Sequence, residues 1–233
     1  MVLYSYSYIP NRYLVFPLDI LQNIMRFIFF YFLLFFSSYV LGGALEHKDS
    51  MGNIETIERG AVQFTTAGTG IQHSEYNHNH NEWVHFLQIW VKPNQLNLKP
   101  RYATGHFTDQ QKLNTLCPII TPDGKENTIK INNDFRMYAS ILQPNQSVNH
   151  KLYTNTIRKA YIHVPILPNS GGVTVSGILG NTDNTVTDTV KLEPGDGAFI
   201  ENIKEITITG IGKENMPNND DRKSEFVLFD FAN

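Results

Sequence analysis

The chain has 233 residues, long enough for one large domain or two of about 100 residues each. Its net charge of −3 comes without a basic block, so it carries no electrostatic footprint for nucleic acid. A single cysteine, Cys117, excludes an intramolecular disulfide framework and a cysteine-based zinc site, and such a residue is expected as a small hydrophobe in the core.

In chain order, the first feature is residues 27–45, "FIFFYFLLFFSSYVLGGAL", a charge-free run preceded by Arg12 and Arg26. Its length makes residues 20–45 a candidate membrane span or signal anchor. Its second half, continuing as "SYVLGGALEHKD", reads instead as a β-strand entering a turn. From Tyr39 onward, short runs rich in β-branched and aromatic residues, such as "VHFLQIWV", "FRMYASIL" and "EFVLFDF", alternate with turn signals. Met51-Gly52-Asn53, Pro122-Asp123-Gly124 and Pro194-Gly195-Asp196 are examples. This texture predicts an all-β sandwich or barrel, with at most a short helical piece near 108–116.

The stretch "TAGTGIQHSE" draws attention because His73 and Glu75 stand at i and i+2. On a strand that spacing points both side chains to one face. One imidazole and one carboxylate suit Fe(II), Mn, Ni, Cu or Zn better than Ca, and the glycines at 68 and 70 fit a sharp turn leading into the strand. A pair alone leaves a metal short of its usual three or four protein ligands. A hydrogen-bonded structural histidine is therefore the competing reading. His78 and His80 lie in the Asn-rich "YNHNHNE" and read as a solvated loop. His85 reads as a core histidine, and His47, His106, His150 and His163 as structural.

The runs "YVLGGALEHKDSMGN", "VQFTTAGTGIQHSEYN", "HFLQIWVKP" and "KPRY" resemble the core motifs of the pirin family, a branch of the bicupins. "PDGKENTIKINNDFRMYASIL", "KAYIHV", "LEPGDGAFI" and the terminal "EFVLFDF" resemble the C-terminal cupin of its bacterial quercetinase-like members. The resemblance implies two tandem jelly-roll-like cupin β-barrels, here 39–128 and 129–233, behind an atypical apolar segment 1–38. It also implies iron, or another divalent transition metal, in the first barrel, held by a His-x-His pair and a His-x-Glu pair. His73 and Glu75 fall on the second pair, with Glu75 also placed to accept a proton. Bacterial members are similar to quercetin 2,3-dioxygenases, which open a flavonol ring with O₂; animal members look like nuclear cofactors that act through protein partners. If a metal and flavonol are bound, Phe64, Phe86, Leu87 and Trp90 are candidate walls for the aromatic ring, but plain barrel core is the favoured reading for them.

The departure from the family pattern lies where the first ligand pair should stand, at 29 and 31. This chain has Phe29 and Tyr31 there, and Phe35 where an acidic residue is expected; its first histidine is His47. Three readings of residues 1–37 stand open: a shifted reading frame or start, a diverged pseudoenzyme, or a membrane anchor. The expected function is a quercetin 2,3-dioxygenase-type oxidoreductase, impaired by the missing pair. The alternative is a non-catalytic protein-interaction bicupin without a metal. Expected partners are a flavonol, if the chain is active, or a protein, without direct nucleic-acid binding. The expected location is the cytoplasm, or a membrane reached through the apolar N-terminus. The second barrel shows no ligand cluster and is expected to be structural.

Overall fold

The computed structural model describes residues 35–79, 81–152, 158–179, 186–213 and 223–232, together with the backbone of 2–8. The chain divides into two compact units, 1–106 and 107–233. Among the described residues both are built mainly from strands, in line with their period-2 patterns and turn residues.

The first unit pairs eight strands into two sheets. β1 (Val2–Tyr8), β2 (Phe35–Gly42), β5 (Ala61–Thr66), β7 (Val84–Val91) and β8 (Arg101–His106) form the larger, in the order β1-β7-β2-β5-β8. β3 (Ala44–Asp49), β4 (Ile54–Glu58) and β6 (His73–Asn77) form the smaller, in the order β4-β3-β6. The chain passes from β2 to β3 through Gly43, whose φ of 72° lies in the left-handed region. A Cβ there would collide with the carbonyl oxygen of Trp83, so only glycine fits. Residues 35–45 of the charge-free run are thus strand, as their second-half pattern suggests, while 9–34 lie outside the described residues. Among the described residues no helix is long and apolar enough to cross a membrane.

The second unit is a two-sheet sandwich. Its larger sheet runs in the order β10-β9-β11-β18-β13-β16, from β9 (Cys117–Thr121), β10 (Ile129–Lys130), β11 (Phe135–Leu142), β13 (Arg158–His163), β16 (Gly197–Glu201) and β18 (Ser224–Ala232). The smaller runs β12-β17-β14-β15, from β12 (Ser147–Lys151), β14 (Gly172–Leu179), β15 (Val190–Leu192) and β17 (Ile203–Gly212). Leu142, Val148, Ile162, Val173, Ile206, Ile208, Phe226 and Leu228 fill the space between them. One helix, Asp109–Lys112, stands before β9; Thr108 and Gln111 cap it reciprocally. Cys117 is buried, as its composition suggests.

A buried ionic cluster joins the sheets of this unit. Asp230 on β18 accepts from Arg158 Nε at 2.5 Å and stands 2.9 Å from His150 Nε2, on β12 of the other sheet. Arg158 Nη1 also donates to Asp134 at 2.6 Å, and Arg136 donates to the same carboxylate at 2.9 Å. Burial works against the charge on Asp134, but the two arginines outweigh it and hold its carboxyl below the ordinary value.

Candidate functional site

Strand register sorts the interior of the first unit into rows. Val40 pairs with Phe86, Ser38 with Gln88 and Phe36 with Trp90 between β2 and β7. Ser38 also pairs with Gln63, and Phe36 with Thr65, on β5. In the facing sheet Leu45 pairs with Asn77, His47 with Glu75 and Asp49 with His73. Because successive side chains alternate faces, each set projects together. The result is an apolar floor (Val40, Leu45, Ile57, Val84, Phe86), a polar middle row and an upper row rich in rings.

Glu75 is the centre of the middle row. Ser38 Oγ donates to its Oε1 at 2.6 Å, and Gln63 Nε2 donates to the same oxygen at 2.9 Å. Gln63 is itself held by the Thr65 hydroxyl at 3.2 Å, and Ser38 Oγ lies 3.3 Å from Gln88 Oε1. Burial raises the carboxyl of Glu75 above its ordinary value, against the opposing pull of the Ser38 and Gln63 bonds.

Above it, rings are interleaved from the two sheets. Phe36 stacks on His73 with centroids 4.3 Å apart. His73 stacks on His47 at 5.9 Å, and His47 stacks on Tyr102 at 4.7 Å. The column therefore begins and ends on the larger sheet and carries both histidines of the smaller sheet between. Pairs of this kind contribute about 0.5–1.5 kcal/mol each beyond the area they bury. Loss of water, with the neighbouring His47 adding to it and Asp49 opposing, lowers His73 to about 4. Burial likewise lowers His47, against the nearby Asp49.

Asp49 anchors the column to the β3–β4 turn. It accepts from the backbone of Met51 and Asn53 and from Asn53 Nδ2, at 2.9, 3.0 and 2.8 Å, and lies 3.3 Å from His47 Nε2. Burial works against its charge, but the bonds from Asn53, His47 and Met51 prevail and hold its carboxyl low. The Tyr102 hydroxyl donates to Glu55 at 3.1 Å; burial and that carboxylate push the phenol up.

The structure thus brings His73 and Glu75 onto one interior face, as their spacing predicts, and adds His47, Asp49, Ser38, Gln63 and Tyr102. His47, expected to be structural, stands directly opposite Glu75. Of the four expected wall residues, Phe86 and Trp90 share the Ser38 face, whereas Phe64 and Leu87 project from the opposite face, where Phe64 meets Phe35 at 5.5 Å. That face is buried as well, so hydrophobicity alone does not separate the two. His78 pairs with Glu46 at 3.0 Å on the surface; His80, Phe29 and Tyr31 lie outside the described residues.

A four-ligand metal does not fit the side chains described. His73 and Glu75 supply two donors, and one Glu75 oxygen already accepts two hydrogen bonds. The nearest further imidazole, His47, presents its ring face to His73, with planes 22° apart, and its Nε2 is occupied by Asp49. Lone pairs lie in the ring plane, so stacked rings do not converge on one ion. Among the described residues no three His, Cys, Asp or Glu side chains are grouped to hold a metal.

Comparison with known proteins places this arrangement. Residues 36–91 match the family model Pirin, and residues 118–231 match the model of the quercetinase C-terminal cupin domain. The quercetin 2,3-dioxygenase of Escherichia coli O157:H7 is 34% identical over 194 residues, covering 83% of this chain and 70% of that protein. The quercetin 2,3-dioxygenase of E. coli K12 is 36% identical over 148 residues, and the match spans 63% of this chain but only 60% of the relative. Among solved structures, YhhW from E. coli superposes with a TM-score of 0.67 at 30% identity, covering 85% of this chain and 71% of that one. The same bacterial pirin has also been solved in complex with nickel(II), at the same score and identity. With both halves matched in order on an all-β, two-unit chain, this protein belongs to the pirin family of bicupins.

Proposed function

We propose that this chain descends from metal-dependent quercetin 2,3-dioxygenase-type oxidoreductases and, as its sequence stands, retains little of that activity. The observation that carries the reading is the state of the second ligand pair. His73 and Glu75 are kept in the barrel interior, yet one is stacked between Phe36 and His47 and the other is hydrogen-bonded by Ser38 and Gln63. The first pair has no counterpart at 29 and 31, where Phe and Tyr stand. Losing two of four ligands removes chelation as well as strength. The cofactor of the intact ancestor is read as a divalent transition metal, and its substrate as a flavonol.

The test is aerobic turnover of quercetin by the purified chain supplemented with Fe(II) or Ni(II), beside the same chain carrying Phe29→His and Tyr31→His. Little turnover by the unaltered chain and a gain in the double variant are expected. Turnover by the unaltered chain at the level of the E. coli relatives overturns the reading. A second reading, a non-catalytic bicupin acting through protein contacts, draws on the same engagement of His73 and Glu75. It expects the double variant to stay inactive.

A further inference from the structure

We infer that the first unit has replaced metal cross-linking with side-chain cross-linking: the column Phe36–His73–His47–Tyr102 and the Ser38–Glu75–Gln63 knot join its two sheets, so that its fold needs no metal ion. This rests on the reading above only in its starting point, the absence of the first ligand pair.

A metal held by ligands on facing strands ties those strands together as a clamp. Here β3 and β6 are tied twice to the strands of the larger sheet without one. In the ring column, both histidines come from the smaller sheet (His47 on β3, His73 on β6), and the rings that enclose them come from the larger sheet (Phe36 on β2, Tyr102 on β8). The interplanar angles of 21°, 22° and 17° make one continuous column. In the middle row, a carboxyl of the smaller sheet is gripped by a hydroxyl from β2 and an amide from β5. Phe36, the outermost ring of the column, covers one face of His73 and His47 covers the other. His47 is wholly buried, and among the described residues its Nδ1 has no hydrogen-bond partner. Its ring is therefore held mainly by stacking and by Asp49, whose bonds to Met51 and Asn53 fix the neighbouring turn. An aromatic ring at 73 can fill this column without any nitrogen, whereas a metal ligand cannot be replaced that way.

The experiment is thermal unfolding of the full chain, as purified, after chelator treatment, and across about a thousandfold range of Fe(II) or Ni(II). A ligand bound only by the native state raises the midpoint with its concentration. A flat midpoint is expected throughout. His73→Phe is expected to unfold close to the unaltered chain, while His73→Ala and Phe36→Ala unfold at clearly lower temperature. A midpoint that climbs with metal, or a His73→Phe variant that falls as far as His73→Ala, overturns the inference. Because the readout is stability, it separates from the turnover assay. Metal-dependent stabilisation without turnover overturns this inference and leaves the functional reading standing. Quercetin turnover by the unaltered chain at the level of the E. coli relatives overturns that reading, whatever the midpoint does.

Discussion

The hydroxyl of Ser38 donates to Glu75 across the two sheets of the first unit over 2.6 Å, and both residues are buried. A carboxyl in that position has no water to turn to, so its neighbours decide whether the barrel tolerates it. Ser38→Ala leaves Gln63 as the remaining donor to Oε1. It is expected to cost about 1–3 kcal/mol, read as a lower urea midpoint with an unchanged m-value. Glu75→Gln keeps an oxygen for both donors and is expected to cost less than Glu75→Ala.

In the second unit, Asp230 is fully buried between Arg158 and His150. Asp230→Ala strands the Arg158 cation beside the remaining Asp134. Removing one partner of a buried pair typically costs about 3–5 kcal/mol. Chemical unfolding of the variant should show a loss of that size, and adding Arg158→Met should recover part of it, because the stranded charge goes too. A double variant no more stable than Asp230→Ala alone would show that the charge is not the source of the loss.

His163 sets a pH dependence. Burial lowers its imidazole below the ordinary 6.5, with a bond to the backbone of Asp196 opposing, and among the described residues its Nε2 has no partner. The unfolded chain takes up a proton as pH falls through 6.5, while the folded chain resists until lower pH. The unfolded state then binds more protons, and stability drops. This contribution is intact above 6.5 and lost as pH falls through the folded value. Urea midpoints taken at about pH 7.5 and about 5.5 should differ in that direction, and His163→Phe should reduce the difference.

Cys117 is 7% exposed, and burial raises its thiol, with Lys112 opposing. The thiolate is the reactive form. Native protein is therefore expected to react slowly with a thiol reagent at neutral pH, and to react fully once unfolded in guanidinium. Equal rates in the two states would place the sulfur at the surface.

The sequence is legible where one face of a strand differs from the other. His73-x-Glu75 announces a shared face by period alone, and the structure puts both residues inside the barrel. "EHKD" carries the same i, i+2 signal at His47 and Asp49, yet nothing local says that β3 lies beside β6 with His47 opposite Glu75. Register across strands is a long-range property, set by which sheet forms. Which face Phe64 and Leu87 take is not legible for a different reason: β5 and β7 are buried on both faces, so their apolar runs lose the alternation that would assign a side. Ser38 and Gln63 carry no local mark at all, since a single serine or glutamine in a strand gains meaning only from what it meets.

The rows of the first unit have an evolutionary corollary. Floor, middle and upper rows are each assembled from different strands at the same height, so the chemistry of one row can be rewritten while the others go on specifying the register. The apolar floor of Val40, Leu45, Ile57, Val84 and Phe86 contains none of the expected ligands. A lineage can therefore discard or regain ligands in the middle and upper rows by a few substitutions and still inherit the same barrel. Descent in such a family is better traced through the floor than through the ligands.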